Sequence, residues 1–283
     1  MLALYSQIAV YQFTTPKKQP QKAMTSSTVS LEFHFIADDF GRDEATNQAM
    51  IHCHQNGILS GVALMMGQSA SAAAVSMAKE NPHLDIGWHF HVVDSQPLTQ
   101  PQWPWRTPAQ AGFAIGFSSA ARALVRREIA AQWQAFKASG LHCAFINAHH
   151  HMLIHPFIRR ALLDHVRAEF SGWLRWGQPK FFSAPNRGYI VLDRLLQRPQ
   201  ASAMPCQISQ SLWGIDRTFK MQSDEVSGQI QHLIDCGETG LHEFMFHPRH
   251  SNDMDTQCLL ELAKILPRKH PDYFPPLSGS VIE

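Results

Sequence analysis

The sequence predicts an α/β fold in which parallel strands alternate with helices and curl into an irregular (β/α) barrel, TIM-barrel-like, with the helices outside. Three observations carry this expectation. Apolar runs of strand length alternate with helix-length amphipathic segments. Polar clusters fall at the ends of the apolar runs. A chain of 283 residues, 45% of them hydrophobic, can bury one large core without a second domain.

The first apolar run, Leu31 to Ala37, ends in Asp38-Asp39-Phe40-Gly41, where glycine can supply a turn. A helix follows from Glu44 to Asn56 and is stopped by Gly57. Leu59 to Met66 is a second strand, and Ser69 is a suitable cap for an alanine-rich helix that runs to Lys79. Leu84 to Phe90 is a third strand, containing Gly87-Trp88-His89-Phe90. From Ser95 to Phe117 the pattern stops at Pro97, Pro101, Pro104 and Pro108, and no apolar period is visible. Such a long connection suits a lid or wall over a groove. Ala121, Leu124, Val125, Ile129, Trp133 and Phe136 fall at helical spacing, so a helix is expected from Ser118 to Ser139, with Arg127 and Glu128 on its wet face. Phe145 to His149 is the next strand and Phe157 to Phe170 the next helix. Strands and one helix are expected before Ser211. The chain then closes with a helix from Asp224 to Asp235, a strand from Leu241 to Phe246 and a helix from Asp255 to Leu266. Residues 1–29 turn polar after an apolar start and are expected to be a disordered tail preceding one domain at 30–283, with Met24 as a second candidate start.

Lys and Arg number 24 against 23 Asp and Glu, so the net charge offers no broad attraction to nucleic acid or to an anionic surface. Five scattered cysteines, an odd number without a C-x-x-C pair, fit a reducing cytoplasm. Cys53 and Cys143 read as small core residues. No apolar run reaches the roughly 18 residues of a membrane span. The oligomeric state is left open, with a homodimer as one reading.

Asp38-Asp39, His89, Asn147 to His151 and His247-Pro248 each end a strand. In parallel α/β folds those ends share one face, where sites are built. A carboxylate and two imidazoles form a ligand set for one divalent cation of the Zn, Mn or Mg type. Taken singly, each cluster has a plainer use: the aspartates could cap a helix, His89 and His91 could be half-buried strand residues, and the histidine run could be a solvated loop.

Four ordered motifs decide among these uses: Ala37-Asp38-Asp39-Phe40-Gly41, Gly87-Trp88-His89-Phe90, Asn147-Ala148-His149-His150-His151, and Glu243-Phe244-Met245-Phe246-His247-Pro248. The chain thereby resembles the YdjC-like carbohydrate deacetylases from Leu31 to the last helix. Val92-Val93-Asp94 and Ala135 to Leu141 are most similar to the hopanoid-biosynthesis-associated branch. The resemblance implies a hydrolase that removes the acetyl group of an N-acetylated amino sugar or glycolipid, with one divalent metal, magnesium or zinc, on Asp39, His89 and His149. It implies Asp38 as general base and His247 as general acid. His151 is a further candidate, because residues two apart share a side of an extended segment; Glu243, within the last motif, is another. Trp88, Trp103 and Trp105 are candidate sugar-stacking residues, and a backbone N–H near Phe40-Gly41 is a candidate oxyanion donor.

Trp88, Leu153 and Arg249 depart from the family's usual residues, which leaves the substrate open; Arg249 either pairs with an anionic group or faces solvent, the latter slightly favoured. The rivals are a phosphoesterase on the same scaffold, disfavoured because the motifs contain no Lys or Arg, and a non-catalytic metal- or sugar-binding protein, which would not need Asp38 and His247. One structural outcome is required. Ligand atoms of Asp39, His89 and His149 lying more than about 6 Å from any common point would exclude a shared metal, whose bonds are near 2 Å.

Overall fold

A computed structural model describes residues 30–176, 178–183 and 206–275. The tail expected at 1–29, and much of the region expected to hold strands and a helix before Ser211, fall outside these residues. The order is β1 (Leu31–Phe40), α1 (Glu44–Asn56), β2 (Gly61–Leu64), α2 (Ser71–Glu80), β3 (Asp85–Phe90), α3 (Pro108–Phe117), α4 (Ser119–Ala138) and β4 (Phe145–Ala148). A 3-10 segment (His149–Ile154) leads into α5 (Pro156–Val166), β5 (Trp173–Leu174), β6 (Gln178–Pro179), β7 (Gln207–Ile208) and β8 (Ser211–Trp213). A short 3-10 turn, α6 (Ser223–Asp235), β9 (Gly240–Phe246) and α7 (Met254–Lys269) complete it.

All described strands run parallel in one sheet ordered β6-β8-β9-β1-β2-β3-β4-β5-β7. β7 and β8 stand towards opposite ends of that order, yet only Ser209 and Gln210 separate them. A link of that length spans about 10 Å, so the sheet has to curl until its ends meet. The seam is visible: the Ser209 amide donates to the Leu174 carbonyl at 3.1 Å and the Gln210 amide to the Leu241 carbonyl at 2.7 Å. The expected barrel-like α/β fold is therefore present.

Strand alternation sorts the residues. Ile36, Ala63, Phe145, Trp173 and Leu241 form a small apolar cluster inside the curl. The other face carries Phe35, Phe244 and Trp88 into the large core shared with the helices. A Cβ on Gly87 would lie 2.2 Å from the Phe145 ring, so glycine is required for that ring to fill the interior. Two positions beyond Ile36, Gly87, Phe145, Trp173 and Leu241 stand Asp38, His89, Asn147, Arg175 and Glu243, all buried. One apolar layer thus supports a polar layer nearer the strands' C-terminal ends.

Helix ends follow local chemistry. Asp43 caps α1 by accepting from the Thr46 amide, and Ser118 caps α4 by accepting from the Ala121 amide. The expected Ser69 cap does not form: Ala70 is the N-cap of α2 without a side-chain cap, Ser69 donates to the Arg42 carbonyl, and Ser71 accepts from the Gln68 amide. The proline-rich segment contains an unexpected helix, α3, with Thr107 as cap and Pro108 in its first turn. Glu128 overturns its assignment to the wet face. It is fully buried and accepts hydrogen bonds from the Leu98 and Thr99 amides, the Thr99 hydroxyl and Gln132, which fastens the connection after β3 to α4. Arg127 is exposed, as expected.

Replacing Glu128 by Ala strands those donors in a buried setting, at a cost of roughly 2–4 kcal/mol. Thermal unfolding should shift down, and limited proteolysis should open first between Ser95 and Thr107. An unchanged melting temperature and cleavage pattern would show that the carboxylate does not hold this segment.

Candidate metal centre

The Asp38-Asp39 pair depends on a break in strand alternation. The β1–β2 register runs Ala37↔Val62 and then Phe40↔Leu64, so β1 carries one extra residue, a β-bulge. Asp39 takes the left-handed conformation at φ 76°, uncommon for a residue with a side chain. The bulge lets both aspartates face the interior, one towards each nitrogen of His89: Asp38 Oδ1 lies 4.0 Å from Nδ1 and Asp39 Oδ1 lies 3.4 Å from Nε2. Gly41, also left-handed, is packed so closely that a Cβ would meet the Met65 carbonyl at 2.8 Å.

Asp39 Oδ1, His89 Nε2 and His149 Nδ1 form a triangle with sides of 3.4, 2.9 and 3.4 Å. Such a triangle admits a point roughly 2 Å from every corner, the bonding distance of a divalent cation. Asp39 Oδ1 is buried and receives no directed hydrogen bond, as expected of an atom whose partner is a cation. Asn147 sets the imidazole: its amide nitrogen donates to Asp38 at 2.8 Å, so its oxygen faces His89 Nδ1 at 2.6 Å. The proton then sits on Nδ1 and the Nε2 lone pair points to the triangle. These residues fit the expected ion.

Arg175, just beyond β5, is the buried cation of the site. It donates to both oxygens of Asp38 and, through Nε, to Glu243 Oε1 at 2.7 Å. Burial would raise the Asp38 carboxyl, but Arg175, His89 and His247 outweigh it and hold it far below the ordinary range. Burial likewise opposes ionisation of Asp39, and His149 and His89 overcome it. For Glu243 burial wins over Arg175 and the carboxyl is raised; its Oε2 has no hydrogen-bond partner.

The histidine run is not the extended segment on which the expectation for His151 rested. His150 and His151 are left-handed at φ 51° and 53°. His151 nevertheless enters the site, where burial and then Arg175 push its imidazole down to about 3. His150 turns outward with its Nε2 3.5 Å from Asp94, whose carboxylate also lies 3.5 Å from His149 Nε2. His247, at the end of β9, is partly buried; burial lowers its imidazole pKa although Asp38 and Asp39 oppose this, and its Nδ1 has no hydrogen-bond partner. His91 is structural, bound through Nε2 to the Met66 carbonyl at 2.9 Å and through Nδ1 to Ser95 at 2.9 Å.

Two of the three candidate sugar platforms are corrected. Trp88 is fully buried with its ring 5.2 Å from that of Trp133, because it occupies the helix-facing side of β3. Trp105 is buried and donates to the Val92 carbonyl. Trp103 stacks on Trp105 and donates to Ser95 at 3.2 Å, leaving a partly exposed edge. The Gly41 amide is also committed, donating to Asn47 Oδ1 at 2.6 Å, so it supplies no oxyanion donor.

Arg249 keeps a side chain 40% exposed and also meets the alternative expectation, an anionic partner. It lies 3.7 Å from Asp39 Oδ2 and 4.3 Å from the Phe219 ring centroid, and that ring is 5.1 Å from His247. Arg42 also lies 3.7 Å from Asp39 Oδ2. Cationic side chains therefore flank the centre, and the ground on which a phosphoesterase was disfavoured does not hold in space. Sequence reasoning missed Arg175, Asn147 and Arg42 as site groups. The pairing of Asn147 beside His89 was implicit in adjacent strand ends, whereas the two-residue β5 left Arg175 without a pattern.

A buried carboxylate and two imidazoles whose ligand atoms form one triangle, with arginines and further histidines beside it, make a candidate metal site on a curled parallel sheet. The family model described as YdjC-like protein matches residues 34–270, and the chain belongs to that family. It is 34% identical over 221 residues to the carbohydrate deacetylase of Brevibacillus brevis, covering 77% of this chain and 81% of that relative. It is 29% identical over 228 residues to the chitooligosaccharide deacetylase of Proteus mirabilis, covering 75% and 79%. A Vibrio vulnificus carbohydrate deacetylase matches at 30% over 139 residues, 54% of its length. The fold is similar to a crystal structure of an Enterococcus faecalis protein named for cellobiose-phosphate cleavage, with a TM-score of 0.61 at 17% identity, covering 85% of this chain and 95% of that one.

If Asn147 fixes the His89 tautomer, Asn147→Ala should weaken binding of zinc or manganese about 10- to 100-fold while circular dichroism stays unchanged. Titration calorimetry on chelator-treated protein gives the answer, and native affinity in the variant would remove Asn147 from this role.

Proposed function

We propose that this protein is a divalent-metal-dependent hydrolase that removes the acetyl group from an N-acetylated amino sugar or glycoconjugate. The observation that carries the reading is the convergence of Asp39, His89 and His149 ligand atoms beside Asp38 and His247. The names of the two relatives matched over more than three quarters of their lengths support the deacetylase chemistry. An N-acetylglucosaminyl hopanoid is the finer candidate substrate. Of the two stretches behind it, Asp94 borders the centre, whereas Ala135 to Leu141 close α4 and lead into β4 at the other end of the strands.

An amide is a weak electrophile with a poor leaving group, so water has to lose a proton and the amine has to gain one. The bound metal would acidify water and polarise the carbonyl. Asp38, ionised and pointed into the site by Arg175 and Asn147, accepts the water's proton. His247, one ring away from Phe219, delivers a proton to the departing nitrogen. Arg42 and Arg249 supply positive charge where oxyanion character grows. The segment after β3, fastened to Gln68 and Glu128, is the candidate wall over the substrate groove.

A specific observation favours a second division of labour. The Asp38 carboxylate already accepts from two Arg175 nitrogens and from Asn147, whereas His247 Nδ1 has no hydrogen-bond partner. In that reading His247 takes the water's proton and returns it to nitrogen, while Asp38 orients the site.

Acetate release from a panel of N-acetylglucosamine conjugates, with metals restored after chelation and phosphate release from sugar phosphates measured in parallel, tests the function. Asp39→Asn should lose metal. Asp38→Asn should keep metal and lose about 10²- to 10⁴-fold in rate if Asp38 is the base; a near-normal rate, with His247→Gln inactive but metal-loaded, assigns both proton transfers to His247. Phosphate release without acetate release, or neither in the metal-loaded protein, overturns the deacetylase reading.

A further inference from the structure

The most exposed large apolar side chains among the described residues are Phe117 and Phe113, at 81% and 70%. They stand four residues apart on α3 with ring centroids 4.9 Å apart. Single exposed apolar residues are ordinary, but an adjacent aromatic pair on a protruding helix marks an interaction surface. At helical spacing the faces of α3 separate cleanly. Ala111 and Ile115 are buried, a Cβ on Gly112 or Gly116 would lie 3.9 Å from the His155 ring, and Phe113 and Phe117 are exposed. Beside the pair, Gln110, Ala114 and Ser118 line a groove against α4 whose other lining includes Trp105, Arg106 and Arg127.

The charge around this helix is one-sided. From Ser95 to Arg127 the chain holds Arg106, Arg122, Arg126 and Arg127 and no acidic residue. Arg122 spends its guanidinium on the Ile115 and Gly116 carbonyls, while Arg106, Arg126 and Arg127 are exposed. The near-zero net charge of the whole chain conceals this local excess. A second copy meeting this face symmetrically would bring the arginines against one another. An aromatic pair that protrudes among cations fits a deformable anionic apolar interface better than a rigid partner.

We propose that α3 is an interfacial contact for anionic phospholipid bilayers, with Phe113 and Phe117 entering the headgroup boundary and Arg106, Arg126 and Arg127 meeting lipid phosphates. α3 packs beside His155, next to the 3-10 segment that carries His149, so docking turns the metal centre's end of the barrel towards the membrane. No helix among the described residues is long and apolar enough to cross a membrane, and the contact is peripheral. It goes beyond the deacetylase reading and does not depend on it.

Co-sedimentation of the full chain with vesicles of phosphatidylglycerol and phosphatidylcholine tests it, with pure phosphatidylcholine as control. The protein should pellet with the anionic vesicles, less so as salt is raised, and F113S/F117S should weaken this by about tenfold or more with unchanged circular dichroism. The D39N variant should pellet like the unaltered protein, which separates this contact from the site's chemistry. Failure to pellet, equal pelleting of F113S/F117S, or a dimer in solution that F113S/F117S dissolves without any vesicle binding would overturn the proposal.

Discussion

Asp38, Asp39 and Glu243 lie buried at one end of the barrel, and the buried Arg175 pairs with Asp38 and Glu243. Buried charge is tolerated only when it is paired, and the rest of the architecture follows from how these groups are balanced. Arg175 spans Asp38 and Glu243 and so ties β1, β5 and β9 together across the curl. Asp39 is left with two imidazoles and two arginines at the rim. A divalent ion held by Asp39, His89 and His149 would add positive charge within this buried group, where the arginines on Asp39 reach only from the rim.

Much of the frame was legible because burial and periodicity coincide in it. α1 occupies the predicted Glu44 to Asn56, α4 begins after its Ser118 cap, and β9 reproduces the predicted strand to within a residue. The convergence of these polar clusters was legible because they end separate strands, while the choice of Asp39 over Asp38 and of His149 over its neighbours came from the family resemblance; the three ligand atoms do lie together. What escaped depends on three-dimensional context. Glu128 falls at the spacing of the α4 apolar stripe, between Leu124, Val125 and Ile129, and its charge alone argued for the wet face; the loop after β3 supplies the donors that let it be buried. α3 was hidden because it is apolar on its outward side too, which erases the period. Trp88 was misjudged because its motif neighbours the site in sequence while strand alternation turns it to the opposite face.

Backbone strain is concentrated where chemistry is expected. The non-glycine residues with left-handed φ among those described are Asp39, Asp94, His150, His151 and Phe219. Each borders the centre or its rim, and such conformations persist only where surrounding structure imposes them. Asp255 illustrates the support: its carboxylate accepts from the His247 amide at 2.7 Å and the Met221 amide at 3.0 Å, locking the loops after β8 and β9 to the start of α7. Burial raises that carboxyl to about 6.

The bulge in β1 gives the site a dependence on residue count as well as on residue kind. In a regular strand the two aspartates would point to opposite faces, and no substitution at either position could bring the second one back. Asp38 and Asp39 are the two residues between Ala37 and Phe40, so deleting either one would return the strand to strict alternation and leave a single carboxylate facing the interior where two now stand. Drift by point substitution can reshape the rim around Arg42 and Arg249 while the centre persists. A loss of length here would instead remove one of the two carboxylates together with the bulge that sets them side by side.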